Sequence, residues 1–414
     1  MSGLVYGLLG RTLGHSWSVP IHNSLGCDTY RLIELEPDQL DTFLHRDDIG
    51  GLNVTIPYKK DVMPYCAVVS PEARAIGSVN TIVRKADGSL SGHNTDVFGF
   101  RYMAERAGID FNGSKTVIFG SGGAALTAQY AAKSGGAKQV VVISRSGENH
   151  YGNLSRHYDA DILVNATPVG MYPKVGEAPA NPALFPNCRG VLDMVYNPFR
   201  TALILRAQEL KLPCSGGLPM LVEQAVKAEE LFFKKRFSSR IVSRILGDME
   251  RTMQNVVLIG MPGSGKSTVG RALSELTGRE LVDMDACIVE HAGMTIQEIF
   301  CVSGEDGFRR LEREEITRAG LLNGKILVTG GGTVKDERNY APLRQNGRIY
   351  HLERELSLLP RQGRPLSEHA SLEAMYRERL PMYRRFRSCV IENSGTPADT
   401  AEKIWRDFCE NTCN

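Results

Sequence analysis

The run Gly260-Met261-Pro262-Gly263-Ser264-Gly265-Lys266-Ser267 has the spacing G-x-x-x-x-G-K-[ST]. Those residue types suit a polyphosphate. Glycines let backbone N–H groups turn toward phosphate oxygens, the lysine reaches the terminal phosphates, and the serine hydroxyl takes Mg²⁺. The apolar run 256–259 precedes the loop, and Val269, Ala272, Leu273 and Leu276 follow at i, i+3, i+4 and i+7 before Gly278. The loop therefore joins a buried strand to a helix whose N-terminus faces the anion. Further on, Leu281-Val282-Asp283-Met284-Asp285 reads as a strand ending in two carboxylates on one side. One is suited to hold Mg²⁺ water and the other to take a proton from an acceptor hydroxyl. A solvated strand end is the plain alternative. Gly330-Gly331-Gly332 reads as backbone pressed close to a ligand, or as a simple loop.

A second glycine-rich turn, Gly120-Ser121-Gly122-Gly123-Ala124-Ala125, fits G-x-G-x-x-[GA] between the apolar run 116–119 and a helical stretch at 126–133. That context points to a dinucleotide. The next run, 140–143, ends in Ser144-Arg145-Ser146. An arginine there, in place of an acid, favours a 2′-phosphate and hence NADP, although an exposed surface arginine is the plain alternative. Three polar clusters, at 14–18, 53–59 and 94–96, follow apolar runs. Each is compatible with turn chemistry. Together, at strand ends, they suit a site for a polyhydroxylated anion.

These groups need a scaffold. Short apolar runs recur at 5–9, 31–35, 116–119, 140–143, 162–164, 191–194, 256–259, 326–329 and 349–352, many separated by helical stretches. The alternation predicts an α/β protein with largely parallel sheets. A length of 414 residues predicts two or three domains. Ile241, Val242, Ile245, Leu246 and Met249 form a helical stripe that closes the first half, so the junction falls at 252–254 without a glycine- or proline-rich linker. With 49 basic and 47 acidic residues the net charge is +2, which argues against a dedicated nucleic-acid binder. Nine cysteines without a C-x-x-C pair, and nine histidines without metal-ligand spacing, predict unbridged thiols in a reducing cytoplasm. The N-terminus lacks the features of a signal peptide, and no run of about 18 apolar residues predicts a membrane span.

In the second half, Gly304-Glu305-x-x-Phe308-Arg309-x-x-Glu312, the paired aspartates, the triple glycine, Arg364-Pro365-Leu366 and Arg379-Leu380-Pro381-Met382-Tyr383 occur in that order. Together they resemble shikimate kinase over essentially all of 254–414. The resemblance implies that Arg309 and Arg379 hold the substrate carboxylate, in keeping with bidentate guanidinium chemistry. It implies that Asp285 binds the ring hydroxyls and acts as base, with Gly331 and Gly332 against the substrate. Gly260, Gly263, Ser264, Gly265, Lys266, Ser267 and Thr268 would hold ATP, Ser267 and Asp283 would attend the magnesium, and Arg364 would reach the phosphates from a lid. The lid at 356–363 is short and contains a proline, with Arg361 as a second lid arginine.

In the first half, the three polar clusters join Ile76-Gly77-Ser78-Val79-Asn80-Thr81, Asn165-Ala166-Thr167-Pro168-Val169-Gly170-Met171 and Gly217-Leu218-Pro219-Met220-Leu221-Val222-Glu223-Gln224-Ala225. These segments resemble shikimate dehydrogenase over residues 1 to about 235. The resemblance implies that Lys59 and Asp96 are the catalytic pair. It implies that Ser16, Ser18, Asn53, Thr55, Asn80, Tyr196 and Gln224 bind substrate. Gly120, Ser121, Gly122, Gly123, Ala124, Ser144, Arg145 and Met171 would surround the cofactor. The chemistry agrees: hydride transfer to a ketone leaves an oxyanion, and a lysine ammonium can supply the proton. Two positions depart from the pattern. Pro20 falls one residue later than expected, and Asn149 stands where a second basic residue would follow Arg145.

The expectation is a bifunctional α/β enzyme. Residues 1–252 would form the dehydrogenase-like part, with a substrate subdomain (1–97 plus 218–252) and a Rossmann NADP-binding subdomain (98–217). Residues 253–414 would form a P-loop kinase domain on a parallel sheet. The first part would reduce 3-dehydroshikimate with NADPH, and the second would phosphorylate shikimate to shikimate 3-phosphate with ATP and Mg²⁺. The expected partners are small molecules, with neither nucleic acid nor membrane, in the cytoplasm. Two alternatives stay open: a metabolite-sensing regulator on the same folds, and quinate with NAD as the first substrate.

Overall fold

Strands covered on both faces read as unbroken apolar runs. Val117–Phe119, Ile162–Val164 and Val256–Ile259 behave this way, every side chain in them lying fully buried. The computed structural model describes residues 3–14, 16–359 and 372–411. These divide into two units. The first comprises Met1–Met171, Glu177–Tyr196 and Arg206–Leu246, and the second Tyr172–Gly176, Asn197–Leu205 and Gly247–Asn414.

The first unit holds two sheets. One contains β1 (Val5–Gly10), β2 (Arg31–Glu34), β3 (Ile49–Val54), β4 (Val68–Val69), β5 (Thr81–Arg84) and β6 (Leu90–His93), in the order β2-β1-β3-β5-β6-β4. It is mixed, because β5 runs antiparallel to both β3 and β6. For β5 and β6 the physical reason is a tight hairpin over Ala86-Asp87-Gly88, closed by Lys85 N–H donating to the Ser89 carbonyl at 2.8 Å. The second sheet contains β7 (Lys115–Phe119), β8 (Gln139–Ile143), β9 (Ile162–Asn165), β10 (Gly190–Asp193) and β11 (Cys214–Ser215). It is wholly parallel, in the order β11-β10-β9-β7-β8.

The second unit is built on β12 (Asn255–Ile259), β13 (Leu281–Asp283), β14 (Ile326–Val328), β15 (Gly347–Glu353) and β16 (Cys389–Glu392). These too are all parallel, in the order β13-β14-β12-β15-β16. In each parallel sheet the strand order reverses at the strand feeding a glycine loop, β7 in one and β12 in the other. Ligand crevices open at such switch points, beyond the carboxyl ends of the strands.

The helices that carry site residues are α1 (Ser18–Ser24), α2 (Asp96–Arg106), α3 (Gly123–Ser134), α4 (Leu218–Phe233), α5 (Ser239–Met253), α6 (Lys266–Thr277), α7 (Met284–Ala292), α8 (Ile296–Ala319) and α9 (Leu372–Phe386). The striped segment expected before the junction is α5. The stretch 218–252, assigned above to the substrate subdomain, is two helices, because the chain leaves α4 through Lys234 in the left-handed region (φ 51°). Helix α4 packs tightly on α2. A Cβ at Gly99 would lie 2.4 Å from the Met220 carbonyl oxygen, so only glycine lets these backbones meet. Asp96 and Gln224, one turn from that contact on each helix, are thereby brought to the same cleft.

One local expectation is corrected. The strand expected to carry both carboxylates ends at Asp283, which caps α7 by accepting from Asp285 N–H at 3.1 Å. Asp285 belongs to the first helical turn. Aspartate is a strong N-cap former, and here that preference ends the strand early.

Among the described residues no cysteine forms a disulfide. No described helix is long and apolar enough to cross a membrane.

Two candidate active sites

In the first unit, Lys59 lies in the turn beyond β3 and Asp96 opens α2. Lys59 Nζ donates to Asp96 Oδ2 at 2.6 Å, with side chains 27% and 17% exposed. Two structural effects hold the pair. The Lys59 carbonyl accepts from Val79 N–H at 2.8 Å, and the carboxylate sits at a helix N-terminus, where the dipole favours negative charge. Around them a cleft of about 240 Å³ is lined by Ser16, Ser18, Asn53, Thr55, Asn80, Tyr196 and Gln224, all seven of the expected substrate groups. Burial raises the Tyr196 phenol above its ordinary value, keeping it a hydrogen donor at neutral pH.

Behind the cleft the polar groups are interlocked. Asn80 Oδ1 accepts from Thr95 N–H at 2.7 Å, and Asn80 Nδ2 donates to Thr95 Oγ1 at 3.1 Å. Thr81 Oγ1 donates to Asn80 Oδ1 at 3.0 Å, and Tyr30 OH donates to Asn53 Oδ1 at 2.8 Å. Such fully bonded networks fix rotamers at low cost in buried polarity.

The second glycine turn leaves β7 at Gly120. Ser121, Gly122, Gly123 and Ala124 are exposed, and α3 begins at Gly123. A Cβ at Gly122 or Gly123 would meet nothing, which leaves open space over the helix N-terminus. Beyond β8, the Ser144 hydroxyl donates to the Ser146 carbonyl, and Arg145 is exposed. Asn149, in place of a second basic residue, is tied to His157 Nε2 through Oδ1 at 2.9 Å. Met171 is exposed.

In the second unit a cavity of about 780 Å³ is lined by Gly263, Gly265, Lys266, Ser267, Thr268, Asp283, Asp285, Arg309, Gly331, Gly332 and Arg379. Gly260 and Ser264 do not line it. Ser264 is buried beneath the loop, where its carbonyl accepts from Asn393 Nδ2 at 2.7 Å. Lys266 folds back to donate to the carbonyls of Gly260 and Met261 at 2.9 and 3.0 Å. Ser267 Oγ donates to Asp283 Oδ2 at 3.1 Å. Burial first, then the Asp283 and Glu312 charges, push the Asp285 carboxyl above its usual range, against Lys266 and Arg309, which pull it down. A carboxyl raised this way is a stronger base toward a hydroxyl.

Arg309 is held by acids: Nη1 donates to Glu312 Oε2 at 2.6 Å, and Nη2 to Glu305 Oε1 at 3.2 Å. The guanidinium lies close over Gly332: a Cβ there would be 2.3 Å from Arg309 Nη2 and would displace it. Arg379 is buried on α9 and donates through Nη1 to the Gly331 carbonyl at 3.0 Å. The two arginines and the glycine backbone thus form one wall. Arg364 and Arg361 lie outside the described residues.

Comparison with known proteins fits this geometry. The chain is 34% identical to the shikimate dehydrogenase (NADP(+)) of Clostridium beijerinckii over 264 residues, which is 59% of this chain and 97% of that protein. The chain belongs to the shikimate dehydrogenase family.

The family model for the shikimate dehydrogenase substrate-binding domain matches residues 8–82. A solved chorismate mutase/shikimate 5-dehydrogenase fusion protein from Clostridium acetobutylicum is 35% identical, with a TM-score of 0.57, covering 60% of this chain and 97% of that one. The shikimate 5-dehydrogenase of Thermus thermophilus, solved in complex with NADP(H) and shikimate, is 30% identical with a TM-score of 0.53, over 59% of this chain and 98% of that one. The second unit carries a shikimate kinase domain, its family model matching 262–409. Both parts are enzymes of these two classes.

The shikimate dehydrogenase cleft also has a wall that sequence reasoning did not single out as site residues: Met194, Met220 and Leu221, with Gly217 at its edge. The segment holding three of them was quoted for its resemblance, but an apolar residue carries no signal of facing a ligand. In the kinase unit, Glu312 on the cavity wall and the buried Thr333 and Tyr383 that support it were likewise unassigned. Thr333 Oγ1 donates to Glu312 Oε1 at 2.5 Å, and Tyr383 OH donates to the Gly331 carbonyl at 2.7 Å. Asn393, which supports the phosphate loop from 129 residues away, had no local signal at all.

Proposed function

We propose that the dehydrogenase unit reduces 3-dehydroshikimate with NADPH and that the kinase unit phosphorylates the product, shikimate, with MgATP to shikimate 3-phosphate. The observation that carries the reading is the Lys59–Asp96 pair, 2.6 Å apart in a cleft walled by hydroxyl and amide groups. A polyhydroxylated carboxylate suits such a lining. Bound at the Gly120–Ala124 turn, NADPH supplies the hydride. Lys59 gives its proton to the carbonyl oxygen as that oxygen gains charge, and Asp96 keeps the ammonium aimed and compensates its charge. Ser16, Ser18, Asn53, Thr55, Asn80, Tyr196 and Gln224 bind and orient the ring. Gly120, Ser121, Gly122, Gly123 and Ala124 take the pyrophosphate, Met171 packs beside the cofactor, and Ser144 with Arg145 takes the 2′-phosphate.

In the kinase unit, Lys266, Gly263, Gly265 and Thr268 receive the ATP phosphates. Arg309 and Arg379 hold the shikimate carboxylate against Gly331 and Gly332. Asp285 takes the proton of the attacking hydroxyl. The neighbouring hydroxyl of Ser267 and carboxylate of Asp283 are hard oxygen donors. They fit Mg²⁺, which takes few protein ligands and completes its shell with water and phosphate. Held there, the ion would neutralise phosphate charge.

We place the working boundary at 252–253, with substrate (1–97, 218–252) and Rossmann (98–217) parts in the dehydrogenase. We place the protein in a reducing cytoplasm, in keeping with nine cysteines that form no C-x-x-C pair. Two separate assays test the reading: NADPH oxidation on adding 3-dehydroshikimate, and ADP release on adding shikimate. Failure of either activity removes that half.

A further inference from the structure

Behind the dehydrogenase cleft lies a buried polar chain whose members His22, Glu229 and Tyr30 do not line it. His22, on α1, donates through Nδ1 to Glu229 Oε2 on α4 at 2.7 Å, and both side chains are completely buried. The His22 ring stacks on Tyr30, with centroids 3.8 Å apart and planes 7° from parallel. Tyr30, itself 3% exposed, donates its hydroxyl to Asn53 Oδ1.

The chain ends where recognition begins. An amide has one acceptor and two donors. With Oδ1 taken by Tyr30, Asn53 turns Nδ2 away, toward Thr81 Oγ1 at 3.4 Å and the cleft. That long contact leaves the amide N–H groups available to a ligand oxygen. Burial, with Glu229 and Cys27, holds the Tyr30 phenol well above its ordinary value, so the hydroxyl keeps the proton that it donates to Asn53 Oδ1. The same chain ties together the elements that bear three cleft residues. Ser18 lies four residues before His22 on α1, Gln224 lies five residues before Glu229 on α4, and Asn53 is the last but one residue of β3.

We propose that Tyr30 is a positioning residue, braced by the His22–Glu229 pair, that fixes the Asn53 amide as a hydrogen donor toward a substrate oxygen. The proposal rests on the reading of Asn53 as a shikimate-binding residue. The test uses the full chain, with shikimate oxidation by NADP followed for wild type, Y30F, N53A, N53D and the double variant Y30F/N53A. Y30F removes one hydroxyl and leaves the stack. Loss of one net hydrogen bond predicts that KM for shikimate rises roughly 2- to 10-fold. Expected alongside are kcat within twofold, KM for NADP unchanged, and a double variant no worse than N53A. N53D keeps the acceptor facing Tyr30 but replaces the inward donor, so it should lose shikimate affinity at least as far as N53A does.

If N53A raises KM while Y30F leaves it unchanged, the proposal fails alone. If the two effects add in the double variant, or N53D binds shikimate like wild type, it also fails. A silent N53A removes the site reading and the proposal with it. Should Y30F not fold, N53D decides the orientation by itself.

Discussion

Replacing Lys59 by alanine removes the proposed proton donor and little else. Its Nζ makes one short bond, to Asp96, and both side chains are partly exposed. Asp96, left behind, remains at the N-terminus of α2, where the helix dipole offsets a carboxylate by about 0.3–1 kcal/mol. The fold should therefore survive, with a stability loss of roughly 1 kcal/mol. Catalysis should not. A positioned general acid contributes about 10²–10⁴-fold, or roughly 2.7–5.5 kcal/mol of barrier. The assay is NADPH oxidation in the presence of 3-dehydroshikimate, with ADP release from shikimate and ATP measured on the same preparation. The account predicts loss of the first activity at an unchanged rate of the second. A K59A chain within threefold of the wild-type reduction rate would refute the assignment of the donor.

R145A should lower catalytic efficiency with NADP about tenfold and leave that with NAD unchanged, because one charge-assisted contact to the 2′-phosphate is worth ~1.5–3 kcal/mol. Equal losses with both cofactors would contradict it. D285N should abolish phosphoryl transfer while ATP affinity, measured by calorimetry, changes less than threefold. A parallel loss of ATP affinity would make Asp285 a metal ligand instead. Glu223 is pushed from 4.5 up to about 7, by burial first and then by the charge of Glu230. The folded chain thus retains a proton that the unfolded chain releases, and this stabilising difference is present below pH 4.5 and lost as pH rises through about 7. E223Q should accordingly raise Tm by a few degrees at pH 8 and leave it unchanged at pH 4.5, on about 1 kcal/mol after allowing for solvent screening. Equal shifts at both pH values would show that the charge is not responsible.

The parallel sheets and both glycine turns were legible in the sequence because their determinants are local: an apolar run, a turn and a striped helix. The antiparallel β5–β6 pair depended on a three-residue hairpin loop, Ala86-Asp87-Gly88, that strand counting passed over. Asp285 was assigned to a strand because D-x-D alternates, whereas the capping preference of Asp283 starts a helix between the two acids. Nor does any local pattern announce that Tyr172–Gly176 and Asn197–Leu205 belong to the second unit. Of the seven polar residues of the dehydrogenase cleft, six lie in the segments that carry the family resemblance, and Tyr196 was named by that resemblance alone. Groups that act through others were not legible. Tyr30 and His22 read as ordinary aromatic residues until the fold stacked them, and Asn393 lies far from the loop it supports.

The central claim is that one chain performs both reactions, and it is tested most directly by a coupled measurement on the intact protein. 3-Dehydroshikimate, NADPH, ATP and Mg²⁺ are supplied together, and products are followed by phosphorus NMR and by NADPH absorbance. The account predicts one shikimate 3-phosphate formed for each NADPH oxidised. NADPH oxidation with shikimate accumulating unphosphorylated, or ATP consumed without prior reduction of the ketone, would contradict it.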